Sequence, residues 1–209
     1  PPAPLPVAPD AAPASPQPAA RPDMPQPDVR LTEAEYLHNE RAETDGLRTE
    51  YTQGKLLPMA GESELHIDLA KAIERALDDL IAGRPFKTFR SNMRLRVGGG
   101  RYRYPDVMLT PRPAEMLDGE HDTVTNPLVL VEILSPTTAV VDRGAKLDEY
   151  RTIPSLTDYL IVSQDEPSVD HYTRLSETEW KLVTYAGAEA TVPVTDVGEL
   201  TLGPLYPAG

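Results

Sequence analysis

The chain has 209 residues, 40% of them apolar, which is enough for one domain with a hydrophobic core. It has no cysteine, so disulfides and thiolate metal sites are excluded, and a reducing, cytoplasmic environment is expected. No apolar run approaches the roughly 20 residues needed to cross a bilayer, so no membrane association is expected. The formal net charge of −13 disfavours nucleic acid as a partner unless basic side chains are segregated or metal ions neutralise the site.

Residues 1–28 contain 11 of the 23 prolines, with Ala, Gln and Asp between them. This composition cannot bury enough apolar surface to fold, so it predicts a disordered or polyproline-II-like tail. A spacer is the plainer role for such a tail, and a docking peptide for a protein partner is the alternative. The folded domain is therefore expected over residues 29–209.

The first half of the domain shows two helices and two hairpins. Thr32 and Glu35 form a capping-box pattern, which predicts a helix to about Thr44, ended by Asp45-Gly46. Residues 48–52 and 55–59 predict a hairpin around Gln53-Gly54. Residues 61–82 give the clearest helix, because apolar residues recur there at helical spacing. This stripe consists of Leu65, Leu69, Ala72, Ile73, Ala76, Leu77 and Leu80.

A second hairpin and a loop follow. Strands are predicted over residues 86–90 and 93–97, and Gly98-Gly99-Gly100 predicts a reversal into a strand over residues 101–109. Residues 110–126 contain two prolines and Asp118-Gly119, which predicts a long loop.

The apolar run from Leu128 to Leu134 predicts a buried central strand. Alternation places Glu132 on the same face as Leu128, Leu130 and Leu134. A buried carboxylate is costly unless a cation or hydrogen-bond donors meet it. Glu132 therefore indicates either a structural ion pair with Arg or Lys, or a metal site.

The rest of the chain continues the succession of helix and strand patterns. A helix carrying Lys146 is predicted from Asp142 to about Arg151, and strands are predicted over residues 157–163, 168–174 and 180–185. The last 20 residues indicate weak strand and irregular structure. This order of elements predicts an α/β domain with a mixed sheet flanked by helices.

Asp106 and Glu132 are the first candidates for chemistry. Asp106 follows Pro105 on a predicted strand, and if this strand neighbours the central strand, the two carboxylates converge. Paired carboxylate oxygens are ligands that Mg²⁺ prefers. Lys146 has two interpretations: an i, i+4 pair with Asp142, or a cation directed at the carboxylates. Serine-hydrolase and dinucleotide motifs are absent from the sequence.

Residues 50–174 resemble the Uma-two family of bacterial endonuclease-like domains, a branch of the restriction-endonuclease-like PD-(D/E)xK superfamily. The resemblance rests on four segments in the family's order: EYTQGKLLPM, YPDVML, LVLVEILSPTT and DRGAKLDEYRTIPSLTDYLIV. It implies a restriction-endonuclease-like core with a central mixed sheet.

The resemblance also implies an activity and its residues. The implied activity is Mg²⁺- or Mn²⁺-dependent hydrolysis of DNA phosphodiesters, with Asp106, Glu132 and Glu50 as metal ligands. Leu134 stands where the superfamily has its lysine, so Lys146 is the implied catalytic cation. His66 matches a recurrent helix histidine, although the ordinary interpretation is a structural helix residue.

An inactive, nuclease-derived binding or assembly module tethered by residues 1–28 is the alternative function. A basic surface beside the carboxylates would favour the nuclease, and an acidic surface would favour the module. Five arginines before the end of the second hairpin make a basic surface plausible: Arg90, Arg94, Arg96, Arg101 and Arg103. A homodimer is a further possibility, since nucleases that cut both strands are often dimers.

Overall fold

The computed structural model describes residues 30–44, 46, 48–59, 61–134 and 142–206, with only the backbone of residue 142. The predicted tail over 1–28 and the predicted side-chain pair of Asp142 with Lys146 therefore lie outside the described residues. No helix within the described ranges combines the length and the apolar character needed to cross a membrane.

Both predicted N-terminal helices are present. Helix α1 (Glu33–Ala42) begins at the predicted capping box, in which the Glu35 backbone N–H donates to Thr32 Oγ1 and the Thr32 N–H donates to Glu35. Helix α2 (Glu64–Leu80) begins at Ser63, whose hydroxyl accepts from the His66 N–H. The chain turns out of α2 at Gly83, which has a positive φ of 74°.

The described residues form thirteen strands. They are β1 (Thr49–Thr52), β2 (Lys55–Pro58), β3 (Phe86–Arg90), β4 (Arg94–Val97), β5 (Arg101–Arg103), β6 (Val107–Pro111), β7 (Thr123–Val124), β8 (Val129–Leu134), β9 (Asp158–Ser163), β10 (Ser168–Arg174), β11 (Trp180–Ala186), β12 (Thr191–Val194) and β13 (Gly198–Thr201).

The strands form two main sheets and one hairpin. The larger sheet has the order β11-β10-β9-β8-β6-β3, with β8 and β9 parallel and the other neighbours antiparallel. The smaller sheet has the order β2-β1-β5-β4-β7. Strands β12 and β13 pair with each other. The predicted central strand is thus confirmed as β8, at the middle of the larger sheet.

The single strand predicted over residues 101–109 is wrong. The chain divides there into β5, which belongs to the smaller sheet, and β6, which belongs to the larger one. Pro105 lies at the division and has no N–H to donate to a sheet ladder. The division leaves Asp106 directly before β6, outside both ladders.

The larger sheet separates two apolar cores. On one face, Val129, Val131 and Ile133 of β8 pack with Leu69 and other residues of α2. On the other face, Leu130 packs with residues of the chain after Lys146. Each face therefore has its own covering segment, and the end of β8 lies between them.

Other differences concern segment boundaries. The predicted loop over 110–126 includes the end of β6, a short 3₁₀ helix (Leu117–Gly119) and β7, which pairs in parallel with β4. The predicted helix from Asp142 begins as a π-helix (Asp142–Lys146) and continues as α3 (Leu147–Tyr150). The C-terminal segment is more regular than expected, since β12 and β13 pack Val192 and Leu200 against the α2 core.

Leu65 was wrongly placed in the buried stripe of α2, because its exposed fraction is 53%. His66 is buried instead, and Leu69, Ile73 and Leu77 continue the buried face. The first turn of α2 extends past the apolar core and reaches Asp106. The residue of this turn that faces inward is therefore the polar His66.

Truncation of the buried stripe should cost more stability than truncation at Leu65. We expect Leu69→Ala and Ile73→Ala each to lower the free energy of unfolding by ~2–5 kcal/mol, because each leaves a cavity in a closed core. Leu65→Ala should cost below about 0.5 kcal/mol, the value for surface positions. Urea unfolding of the three variants measures this, and equal losses at residues 65 and 69 would contradict the assigned helix face.

Candidate functional site

Asp106 is held by two contacts at the end of the larger sheet. Its Oδ2 accepts a hydrogen bond of 2.6 Å from the Ile133 backbone N–H. Its Oδ1 lies 2.9 Å from His66 Nε2. The backbone contact fixes the carboxylate against β8, and the second contact joins it to the first turn of α2.

Glu132 lies on β8, and Asp106 directly precedes β6, which pairs with β8. Val107 of β6 pairs with Val131 of β8, so Asp106 and Glu132 flank this pair on the same side. The predicted neighbourhood of the two strands is therefore confirmed.

The carboxylate of Glu132 is buried, with 3% of the residue exposed, and it has a cation and a donor beside it. Lys146 Nζ lies 2.9 Å from its Oε2, and the Tyr150 hydroxyl donates to its Oε1 at 2.6 Å. Both partners come from the helical segment that follows β8. The ion pair expected for a buried glutamate is thus present, and its cation is the lysine that the sequence predicted for the site.

Glu50 of β1 joins the same group of charges. Its Oε1 lies 3.9 Å from Lys146 Nζ, and its Oε2 accepts from Arg103 Nη1 at 2.7 Å. Arg103 is buried and also donates twice to Glu149, at 2.8 Å each. Charges of alternating sign therefore run from Glu149 to Glu132, and each buried cation contacts two carboxylates.

Three members of this group were missed in the sequence. Arg103 was grouped with surface arginines of the hairpin, and Glu149 and Tyr150 occur in a segment where polar residues are common. The signal for Glu149 and Tyr150 was spacing: they follow Lys146 by three and four residues, about one helical turn, so one face of that segment presents all three.

The pKa of His66 is raised. Burial alone would lower the pKa of this imidazole, but the hydrogen bond and charge of Asp106, together with the charges of Glu62 and Glu132, outweigh burial. The pKa of Tyr150 is raised well above its usual value, chiefly by burial and then by the charge of Glu132. Tyr150 is therefore a hydrogen-bond donor to Glu132 throughout the physiological pH range.

One group of His, Asp and Glu side chains among the described residues has ligand atoms close enough to hold a metal ion. It consists of Glu62, His66 and Asp106, whose ligand atoms all lie within 4.8 Å of one another. Glu132 and Glu50 are not members of this group. Of the three metal ligands predicted from the sequence, the group contains Asp106.

The basic hairpin does not form an unpaired positive surface. Each of its five arginines lies within 4.0 Å of a carboxylate. The pairs are Arg90–Glu74 at 2.9 Å, Arg94–Asp122 at 2.8 Å, Arg96–Glu33 at 3.5 Å, Arg101–Glu149 at 3.4 Å and Arg103–Glu50 at 2.7 Å. Arg94 and Arg103 are buried, so these two serve the fold.

Comparison with known families identifies the chain. A model of the Uma2 family, described as "Putative restriction endonuclease", matches residues 33–203. The chain belongs to the Uma2 family. This is the Uma-two family that the sequence resembles, and the match extends beyond the segments that carried the resemblance, to α1 and the C-terminal strands.

Two curated relatives of this Uma2 chain come from Synechocystis sp. (strain ATCC 27184 / PCC 6803 / Kazusa). Uncharacterized protein sll1609 is 36% identical over 163 residues, covering 78% of this chain and 91% of the relative. Uncharacterized protein slr1290 is 28% identical over 161 residues, covering 77% of this chain and 83% of the relative.

A solved structure shows the fold. The crystal structure described as that of "a putative nuclease belonging to DUF820" from Anabaena variabilis ATCC 29413 superposes with a TM-score of 0.64 and 20% identity. The superposition covers 84% of this chain and 97% of that chain. The predicted α/β, restriction-endonuclease-like fold class is thereby confirmed.

In this Uma2 chain the five predicted site residues fall into two contact groups. Asp106 pairs with His66, while Lys146 contacts both Glu132 and Glu50. Asp106 and Glu132 flank the same side of the Val107–Val131 pair of β6 and β8, so the two groups belong to neighbouring strands. Their catalytic and metal-binding roles stay predictions.

The raised pKa of His66 has a consequence for stability. Protonated His66 favours the folded state, so its contribution is complete below the ordinary pKa of 6.5 and is lost as the pH rises through the higher folded-state pKa. With EDTA present, the difference in free energy of unfolding between wild type and His66→Gln should therefore shrink from about pH 6 to about pH 9.

Urea unfolding across this pH series measures the effect, and the exposed His38→Gln provides the control. A difference that stayed constant with pH, or grew as the pH rose, would contradict the raised pKa of His66.

Proposed function

We propose that the protein is a metal-dependent endonuclease that hydrolyses phosphodiester bonds in DNA. The observation that carries this proposal is the buried ion pair of Lys146 with Glu132 on β8, the strand that pairs with β6 directly after Asp106. In a Uma2 chain, two acids from neighbouring strands and a buried lysine are groups that could hold a divalent cation and stabilise the charge of a phosphodiester under attack. The coarser conclusion, a nuclease-like role, rests on the family and on the fold.

The donor set fits a divalent cation. Asp106 and Glu132 offer carboxylate oxygens from adjacent strands, and Glu50 offers a third carboxylate near Lys146. These residues would hold Mg²⁺ or Mn²⁺, which would polarise the scissile phosphate and lower the pKa of a bound water. The carboxylates of Asp106, Glu62 and Glu132 support this fit, because their negative charges raise the pKa of His66 and would attract a cation.

Lys146 supplies a fixed positive charge beside the acids. Glu132 and Glu50 hold the ammonium from two sides, and the helical segment that contains Lys146 is packed through Leu147 and Tyr150. An ammonium in this position stabilises negative charge that develops on a phosphate, and it needs no rearrangement to do so. It also orients a water by donating a hydrogen bond to it.

His66 is suited to proton transfer. Its contact with Asp106 orients the imidazole, and its raised pKa keeps a larger share of it protonated near neutral pH. In the proposed reaction His66 donates a hydrogen bond to a phosphate oxygen or returns a proton to the leaving oxygen.

A binding or assembly module without catalysis is the second candidate. The paired state of the five hairpin arginines favours it, because those side chains are already neutralised by carboxylates. The two candidates differ in whether DNA is cut. The proposal also includes three further expectations from the sequence: a homodimer, a protein partner for residues 1–28, and a cytoplasmic location.

Removal of the lysine charge should reduce cleavage strongly. With Mn²⁺ or Mg²⁺ present, Lys146→Gln should lower the rate of plasmid cleavage by about 100-fold or more, the usual loss for one electrostatic group in a hydrolytic site. Asp106→Asn and Glu132→Gln should abolish cleavage. The measurement is single-turnover cleavage at equal folded fractions, checked by circular dichroism.

Lys71→Gln is the matched control, because Lys71 is half-exposed and forms an ion pair with Asp68 in the same helix. It should cut at the wild-type rate. If wild type cuts no DNA with either metal ion but still binds DNA, the nuclease proposal fails and the binding module stands. Equal cleavage by wild type and Lys146→Gln would remove Lys146 from the mechanism.

A further inference from the structure

The start of α2 presents two potential ligands toward Asp106. Ser63 caps the helix by accepting from the His66 N–H at 3.2 Å. This cap places Glu62 immediately before the helix and His66 within its first turn. Both side chains approach Asp106, which the division between β5 and β6 leaves outside the sheet ladders.

The spacing of these three side chains is close to that of a coordination sphere. With metal–ligand bonds near 2.1 Å, octahedral ligands lie about 3.0 Å apart when adjacent and about 4.2 Å apart when opposite. His66 Nε2 and Asp106 Oδ1 are 2.9 Å apart, and the ligand atoms of Glu62, His66 and Asp106 all lie within 4.8 Å of one another. A cation can therefore be accommodated with small side-chain movements.

The surroundings fix two of the ligands and leave the third accessible. The Ile133 N–H holds Asp106 Oδ2, so the Oδ1 atom faces His66. Asp106 and His66 are both buried, whereas Glu62 is exposed. An ion from solvent would thus meet Glu62 first and then a prearranged carboxylate and imidazole.

We propose that Glu62, His66 and Asp106 hold a divalent first-row transition metal, and that the imidazole gives this site a preference for Mn²⁺ over Mg²⁺ and Ca²⁺. The preference follows from ligand chemistry, because Mg²⁺ and Ca²⁺ select oxygen ligands and a nitrogen ligand favours transition metals. This inference rests on the proposed function, with which it shares Asp106. It assigns His66 to the metal ion in place of proton transfer, and it adds Glu62 as a ligand that the sequence pattern did not indicate.

Metal binding without DNA tests the inference. The full chain is stripped with EDTA, and Mn²⁺ binding is measured by electron paramagnetic resonance of the free ion, with Mg²⁺ and Ca²⁺ affinities measured by thermal shift. We expect tighter binding of Mn²⁺ than of Mg²⁺. Glu62→Gln should weaken Mn²⁺ at least about tenfold, since loss of even an outer-sphere partner costs about 10–100-fold. His66→Gln should reduce the ratio of Mn²⁺ to Mg²⁺ affinity.

Glu64→Gln is the control, because Glu64 is an exposed glutamate in the same helix start, two residues from Glu62. It should bind Mn²⁺ as wild type does. Glu62 is exposed, so Glu62→Gln should retain the metal-free melting temperature, and this is checked in EDTA.

Two results would overturn the site. The first is unchanged Mn²⁺ affinity in Glu62→Gln with a large loss in Glu132→Gln, which would move the metal to Asp106 and Glu132 and leave the nuclease proposal standing. The second is an unchanged ratio of Mn²⁺ to Mg²⁺ affinity in His66→Gln. Conversely, Mn²⁺ binding that depends on Glu62 and His66 in a protein that cuts no DNA supports the site and refutes the nuclease.

Discussion

The buried carboxylate of Glu132 is the constraint on which the centre of this fold depends. Burying an unpaired carboxylate in an apolar strand costs more free energy than the packing of that strand contributes. A cation and a hydrogen-bond donor must therefore contact it. Lys146 and Tyr150 do so from the segment after β8. That segment begins as a π-helix, an irregularity that is frequent at functional sites. Burying Lys146 in turn requires Glu50, and Glu50 contacts the buried Arg103. The charge of Glu132 on β8 is thus connected, through Lys146 and Glu50, to the smaller sheet and to the helical segment that ends in α3.

The division between β5 and β6 at Tyr104-Pro105-Asp106 is a second constraint on the site, and it acts through the backbone. Had the chain continued as one strand, Asp106 would have paired within a ladder and its side chain would have been committed to one face. The proline interrupts the ladder, β5 joins the smaller sheet, and Asp106 reaches both the backbone of Ile133 and the imidazole of His66. The residue therefore lies where the α2 face and the opposite face of the sheet meet.

The spacing of apolar residues correctly predicted those elements that are buried in the same way along their whole length. The α2 stripe and the β8 run are of this kind, and only Leu65 failed, because the first turn of α2 lies beyond the apolar core. The division of residues 101–109 was missed because strand-forming residues lie on both sides of Pro105, and distant strands decide which sheet receives each half. Within the site, Asp106, Glu132 and Lys146 were singled out from the residues themselves, whereas the roles of Glu50 and His66 came from the family resemblance. Glu62 and Arg103 had no local signal, since an acid before a helix and an arginine on a hairpin are ordinarily solvated.

The distribution of charge limits how this domain can meet a polyanion. The sequence places five arginines before Asp106, but the fold uses them against carboxylates, and two are buried. With a net charge of −13, little attraction for DNA is then left to that hairpin. On the proposed function, Lys146 and His66 are the positive groups nearest to the acids, and the acids that would hold a cation are the same groups that would repel a phosphate in its absence. On that proposal, metal binding and substrate binding would be coupled through Asp106 and Glu132, so that a carboxylate-rich site would not conflict with an anionic substrate.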